Sequence, residues 1–157
     1  MTAINAPAAR AGKYLTFVLG SEQYGVEIIK VREILGVLPI TPMPQTPHYV
    51  KGVINLRGKV IPVVDTRTKF RMPEREIAPE TCIIVVDVDG KSVGLLVDTV
   101  KEVMDIREDQ IEIPPNFGTD VDKSFIRGLG KIGDQVKILL DIDRVAGDLE
   151  APGLARE

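Results

Sequence analysis

The segment Gly-Leu-Gly-Lys-Ile-Gly at 128–133 spells G-x-G-x-x-G, the pattern with which dinucleotide-binding enzymes bring backbone amides close to a pyrophosphate. That chemistry needs a strand before the glycines and a helix opening after them. Here the following residues, Gln-Val-Lys-Ile-Leu-Leu-Asp-Ile at 135–142, carry the apolar run of another strand. A hairpin is the better reading, and a small nucleotide-binding enzyme is the weaker alternative. Asp87, Asp89 and Gly90 suggest a cation loop, but the distal glutamate of an EF-hand is missing, and Asp89-Gly90 is a two-residue hairpin signal. His48 lies among prolines with no acidic neighbour to orient it as a general base. Ser21, Ser92 and Ser124 sit in no nucleophile-elbow context. One histidine and one cysteine cannot build a zinc site, and Cys82, within Thr-Cys-Ile-Ile-Val-Val, reads as a buried structural thiol. No catalytic residue, metal ligand or cofactor is expected.

Arg57 is different. It stands beside Gly58 at the tip of a hairpin, where folding has no need of an arginine. The plain reading is a solvated turn residue. The functional reading is a rigidly presented guanidinium aimed at a partner's carboxylate or carbonyl. Glu33 carries the same ambiguity, as a surface charge or a contact.

The elements that position these residues are β-type. Leu15–Gly20 and Gln23–Ile29 are short apolar runs bounded by turn residues. Lys30–Val37 reads as one turn or a short strand. Pro39, Pro42, Pro44 and Pro47 forbid regular structure, so an extended loop follows. Two runs flank Arg57-Gly58 as a hairpin, and Pro62, lacking an N–H, implies that its strand is at an edge or bulged. Thr66–Phe70 suits a helical turn, and 71–80 is a polar connector. Thr81–Val88 is a strand that turns at Asp89-Gly90 into the run 91–106. A long acidic loop is expected over 106–124, then a hairpin turning near Gly133-Asp134, then a short helix from Asp143.

Composition agrees. Hydrophobic residues make up 44% and lean to Val and Ile, aromatics only 4%, so strands are favoured over helices. The net charge of −3, with Lys and Arg scattered, disfavours a nucleic-acid-binding barrel. The N-terminus lacks the apolar core of a secretory signal, and no run approaches the roughly 18 apolar residues of a spanning helix. The chain is expected to be cytoplasmic, with flexible tails at 1–12 and 150–157.

The sequence also repeats. Placing 24–34 over 93–103 sets Gly25 on Gly94, Val31 on Val100, Arg32 on Lys101 and Glu33 on Glu102. Placing 49–65 over 125–141 sets Tyr49 on Phe125, Gly52 on Gly128, Val60 on Val136 and Asp65 on Asp141. Two copies of one five-strand unit are implied, roughly 13–75 and 80–149, with an exchange of strands between them left open. Each is too small for a robust core alone, so a shared core and a groove along the seam are expected.

The run YVKGVINLRGKVIPVVDTR, with FVLGSEQYGVEIIKVREI upstream and VGLLVDTVKEVMDI and FIRGLGKIGDQVKILLDI in the second half, resembles the CheW-like domain family. The resemblance covers about residues 13–149. It implies an all-β fold of two SH3-like five-stranded barrels around a common core, with short helices and no catalysis. It implies a bacterial chemotaxis adaptor that couples the cytoplasmic tip of chemoreceptors, the methyl-accepting chemotaxis proteins, to the regulatory domain of the histidine kinase CheA. A related pathway with a CheA-like kinase, in motility, surface sensing or gene regulation, is the alternative. Carried over by motif, receptor contact would involve Val31, Glu33, Gly52, Asn55, Arg57, Gly58, Val97, Val100 and Val103. A kinase surface would lie around Val86, Val88 and Val93. Thr66 departs from the family's usual leucine, a change expected to alter local packing only.

Overall fold

A computed structural model describes residues 10–113 and 125–146. The first strands are β1 (Gly12–Leu19) and β2 (Glu22–Glu27), followed by a single 3-10 turn at Ile28–Lys30 and β3 (Val31–Gly36). Then come β4 (Val50–Leu56), β5 (Lys59–Asp65) and the one-turn helix α1 (Thr66–Lys69). The second half has β6 (Cys82–Val88), β7 (Lys91–Val97), β8 (Thr99–Ile106), a 3-10 turn at Glu108–Gln110 and β9 (Ile111–Glu112). It ends with β10 (Ile126–Ile132), β11 (Gln135–Leu140) and α2 (Ile142–Val145).

Two sheets result. One runs β8-β1-β2-β11-β10-β9, the other β3-β6-β7-β5-β4. Each draws strands from both halves of the sequence, so the hairpin β1–β2 lies with β8 to β11, and β6–β7 lies with β3 to β5. Without β9, the two strand orders are the same order of repeat equivalents. The registers agree residue by residue. Val63 pairs with Gly94 in the parallel ladder β5–β7, and its counterpart Leu139 pairs with Gly25 in β11–β2. A methyl group on Gly94 would sit 2.8 Å from an Ile83 carbon, and one on Gly25 2.9 Å from a Leu139 carbon. Each glycine thus makes room for a side chain of a neighbouring strand. Bulges recur too, between Val50 and Gly52 and between Ile126 and Gly128. The terminal aspartates of the repeats act alike: the Asp65 N–H donates to the Tyr49 carbonyl at 2.8 Å, and the Asp141 N–H to the Phe125 carbonyl at 2.7 Å. Each carboxylate then caps the short helix that follows.

The strands follow from local pattern. In β3 exposure alternates, with Arg32, Ile34 and Gly36 outward. Asp89-Gly90 has both residues at positive φ, 56° and 84°, the hairpin turn that matches strand twist. Three stretches depart from sequence expectation. The run 91–106 is broken at Asp98, where the chain leaves one sheet for the other. Within the expected acidic loop, Ile111 and Glu112 pair with β10; residues 114–124 lie outside the described residues, as do 1–9 and 147–157. Pro62 is not on an edge strand, because β5 lies between β4 and β7, and the bulge is in β4. Its opposite residue, Val53, exchanges both of its backbone hydrogen bonds with Thr41, at 2.9 Å each. The Pro62 nitrogen therefore turns away from β4, toward the side where pairing with β7 begins only at Val63. The β5–β7 ladder starts after the proline, whereas the equivalent β11–β2 ladder already pairs Lys137 and Ile138.

The main core lies between the sheets. Phe17, Leu19, Tyr24 and Val26 from one meet Val64, Ile84, Val86, Leu95 and Val97 from the other, joined by Ile142 and Val145 of α2. An aromatic file crosses it: Phe17 stacks on Tyr24, Tyr24 on Phe70, and Phe70 meets Phe125 at 5.6 Å.

Candidate functional site

Arg57 is held in the left-handed region at φ 52°, followed by Gly58 at 88°. Such turns favour Asn, Asp or Gly at the first position, so arginine there carries a backbone cost of about 1–2 kcal/mol. The turn is fastened by the Asn55 side-chain oxygen, which accepts the Gly58 N–H at 2.8 Å. The guanidinium donates to the Glu33 carboxylate. β3 and β4 are opposite edges of a five-stranded sheet, so this pair can form only because the sheet curls until its edges meet, closing a barrel. The Arg57 side chain remains 69% exposed and Glu33 32%, so both present atoms to solvent.

Gly52 supports this arrangement from behind. It is buried at the bulge with φ 152°, and a Cβ there would fall 2.3 Å from the Thr41 carbonyl oxygen. The proline-rich segment can therefore lie directly on β4 through the Thr41–Val53 bridge. Arg32, the bulged residue of β3, fastens that strand to the β6–β7 turn. It donates to the Ser92 hydroxyl at 2.7 Å and the Gly90 carbonyl at 3.3 Å, and pairs with Asp87 at 3.2 Å.

The other expected contact residues divide by depth. Val31 and its repeat equivalent Val100 are half-buried against the shared core. Val103 is 48% exposed on β8, while Val97 is buried. The structure thus brings Glu33, Asn55, Arg57 and Gly58 into one contact cluster and makes Gly52 its scaffold. It places Val100 and Val103 on the other sheet. Val86, Val88 and Val93 are corrected as surface contacts: all three side chains are core residues, at most 5% exposed. β6 and β7 are interior strands buried on both faces, one toward the shared core and the other toward the barrel interior.

The remaining chemistry-bearing residues have structural roles. Gly128–Ile132 lies in β10, and Gly133, at φ 60°, turns it into β11, so the glycine motif opens no helix. The Asp87 carboxylate accepts the Gly90 N–H at 2.8 Å, which stabilises a hairpin turn. Cys82 is half-buried rather than buried, its thiol directed at the Glu80 carbonyl at 3.3 Å. His48 packs edge-on to Tyr49. Ser124 lies outside the described residues. Among the described residues, no group of three or more His, Cys, Asp or Glu side chains is placed to hold a metal ion.

The family model for the CheW-like domain matches residues 13–150. The chain belongs to the CheW-like domain family. It is 40% identical over 131 residues to the chemotaxis protein CheW of Rhizobium meliloti, covering 83% of this chain and 84% of that one. It is 36% identical over 138 residues to the chemotaxis protein CheW of Klebsiella aerogenes, covering 88% and 83%. The crystal structure of the scaffolding protein TtCheW from Thermoanaerobacter tengcongensis superposes with a TM-score of 0.81 at 37% identity, covering 91% of this chain and 95% of that one. The two sheets are thus the two SH3-like subdomains of the CheW fold, and the family is one of non-catalytic scaffolds.

In this CheW-like domain, sequence reasoning missed one polar cluster. Asp98 accepts from Arg67 and Arg75, which are 31 and 23 positions away. No motif marks it, because acid and bases lie on different elements. The only available signal was Asp98 itself, a charge inside an otherwise apolar run.

Proposed function

We propose that this chain is a non-catalytic adaptor of bacterial chemotaxis that couples chemoreceptors to the histidine kinase CheA. The observation that carries the reading is membership of the CheW-like family along residues 13–150, with a fold matching a scaffolding protein over 91% of the chain. The receptor tip is assigned to the Glu33–Arg57 cluster of one barrel, together with Val31, Val100 and Val103. A turn that keeps an arginine in the left-handed region against its preference, with polar atoms open to solvent, supports a recognition role. The kinase regulatory domain is assigned to the β6–β7 hairpin, through the outward residues Asp89 and Lys91 of its turn, since Val86, Val88 and Val93 on the flanking strands are interior. Work at membrane-associated arrays is assigned to the cytoplasmic side. No helix among the described residues is long and apolar enough to cross a membrane.

The test is co-sedimentation with receptor-containing membranes and the kinase. Wild type should bring kinase and receptor into one complex. Folded Glu33→Ala and Arg57→Ala proteins should lose receptor binding by about tenfold or more, the scale of 1.4 kcal/mol. Full coupling by both variants would overturn the receptor assignment, and failure of the wild type to retain either partner would overturn the adaptor reading.

A further inference from the structure

The chain passes between the two sheets at two repeat-equivalent points, and they are built differently. The passage from β2 to β3 is the 3-10 turn Ile28–Lys30. It leaves Ile29 83% exposed, packs Ile28 against the shared core, and carries a partly exposed Lys30–Asp143 pair at 3.5 Å. The passage from β7 to β8 is Asp98, the repeat counterpart of Ile29, and it is 8% exposed. One Asp98 oxygen accepts the Arg67 Nε–H at 2.8 Å. The other accepts from Arg67 Nη2, Arg75 Nη1 and the Gly20 N–H, each at 2.8 Å. The Asp98 N–H donates to the Val18 carbonyl at 3.2 Å, and Arg67 also donates to the Pro73 carbonyl at 2.9 Å. Beside it, the Thr66 hydroxyl donates to the Leu96 carbonyl, so the residue that departs from the family's leucine adds a tie at the same junction.

One carboxylate therefore joins the β1–β2 turn of the six-stranded sheet, α1 at the end of the five-stranded sheet, and the connector after α1. A bidentate arginine–carboxylate pair fixes orientation as well as distance, which a hydrophobic contact does not. Val97 and Val100 flank this point in sequence. The residues assigned to receptor binding lie on different sheets, Glu33 and Arg57 on one, Val100 and Val103 on the other. Their spacing is set by the angle at which the sheets meet.

We propose that Asp98, Arg67 and Arg75 form a positioning element that holds the two walls of the receptor site at a fixed angle without touching the receptor. This rests on the receptor assignment above. The element acts at one passage only, and the Lys30–Asp143 passage is left free to adjust.

The test uses the full chain with Asp98→Asn, Arg75→Ala and Arg75→Lys. Arg75 is 47% exposed, so its variants keep the buried pair and should fold. Binding to a receptor cytoplasmic-tip fragment and to the kinase regulatory domain is measured for each. Receptor affinity should fall about five- to tenfold in Arg75→Ala and further in Asp98→Asn, within the usual range of coupling between sites. Kinase affinity should change less than about twofold, and Arg75→Lys should restore receptor binding. Spin labels at positions 34 and 105, in a Cys82→Ala background, should show a broader distance distribution between the sheets in both Asp98→Asn and Arg75→Ala. Equal loss of both partners in step with melting temperature, or an unchanged distance distribution, overturns the proposal. Glu33→Ala and Arg57→Ala run alongside. If they lose the receptor and the network variants do not, the proposal alone falls. If they too bind normally, the receptor assignment falls, and the distance measurement still judges the network.

Discussion

Ile61 and Lys137 occupy the same place in the two barrels, opposite Ile54 in one and opposite Gly130 in the other. Both side chains are buried, Ile61 at 2% and Lys137 at 3%. Around Ile61 the five-stranded barrel has an apolar interior of its own, with Ile54, Val63, Ile83, Val85 and Leu96. The six-stranded barrel has a smaller apolar cluster, Tyr14, Ile106 and Leu139, and Lys137 adds polar groups to its interior. The ammonium donates to the side-chain oxygens of Gln23 and Gln135. Thr16, at the place of Val85, donates to the Glu102 carbonyl at 2.8 Å. Arg127 pairs with Glu27 at 3.3 Å. The same strand order is thus held by two kinds of interior. The apolar barrel has its own source of stability and carries the strained Arg57 turn. The six-stranded barrel has the smaller apolar cluster, and its equivalent turn uses Gly133, which takes φ 60° without strain.

The sharpest way to break this contrast is to make the apolar barrel polar. Ile61→Lys buries an ammonium with no amide partners and should cost about 3–5 kcal/mol, or abolish folding, read by urea denaturation. The next effect concerns Asp98. Hydrogen bonds from Arg67 hold its carboxyl at about 2, below the ordinary 3.8. A lowered carboxylate pKa stabilises the fold above the unfolded value and loses that contribution as protons bind. Stability should therefore drop by about 2 kcal/mol as pH falls from near 4 to 2, and Asp98→Asn should flatten that part of the curve.

The reverse swap, Lys137→Met, should stabilise by about 1 kcal/mol, since an apolar residue replaces a buried charge. Burial lowers the Lys137 pKa below 10.5. The unfolded chain binds this proton more tightly, so wild-type stability should rise as pH climbs through the lowered value toward 10.5. Lys137→Met should lack that rise. An unchanged profile would mean the amide oxygens compensate the charge fully. The smallest effect is expected from Arg57→Gly. It relieves the left-handed backbone and removes an exposed ion pair of low worth, for a net change within about 1 kcal/mol in melting experiments. Its receptor binding should nevertheless be lost, which separates recognition from stability at this turn.

Much of the local structure was legible. Asp89-Gly90 and Gly133 are turns because few residues tolerate positive φ, and strands alternate because side chains alternate. The contact cluster was partly legible: Arg57 stood out as a residue its turn does not favour. Its partner Glu33 was named without any sign that they meet. Val86, Val88 and Val93 face the shared core, which the sequence leaves open because β6 and β7 are apolar on both faces.

The amino-acid sequence by itself determined the hairpin turns and the repeat, down to the matched glycines at 25 and 94. Which sheet each hairpin joins was decided only in the folded molecule. Backbone ladders are chemically alike, so β1–β2 and β6–β7 carry no label for either sheet. The parallel pairs β5–β7 and β11–β2 join segments far apart in the chain. Only the simultaneous burial of both apolar faces in one shared core selects the exchanged arrangement, and with it the meeting of Glu33 with Arg57 and of Asp98 with its two arginines.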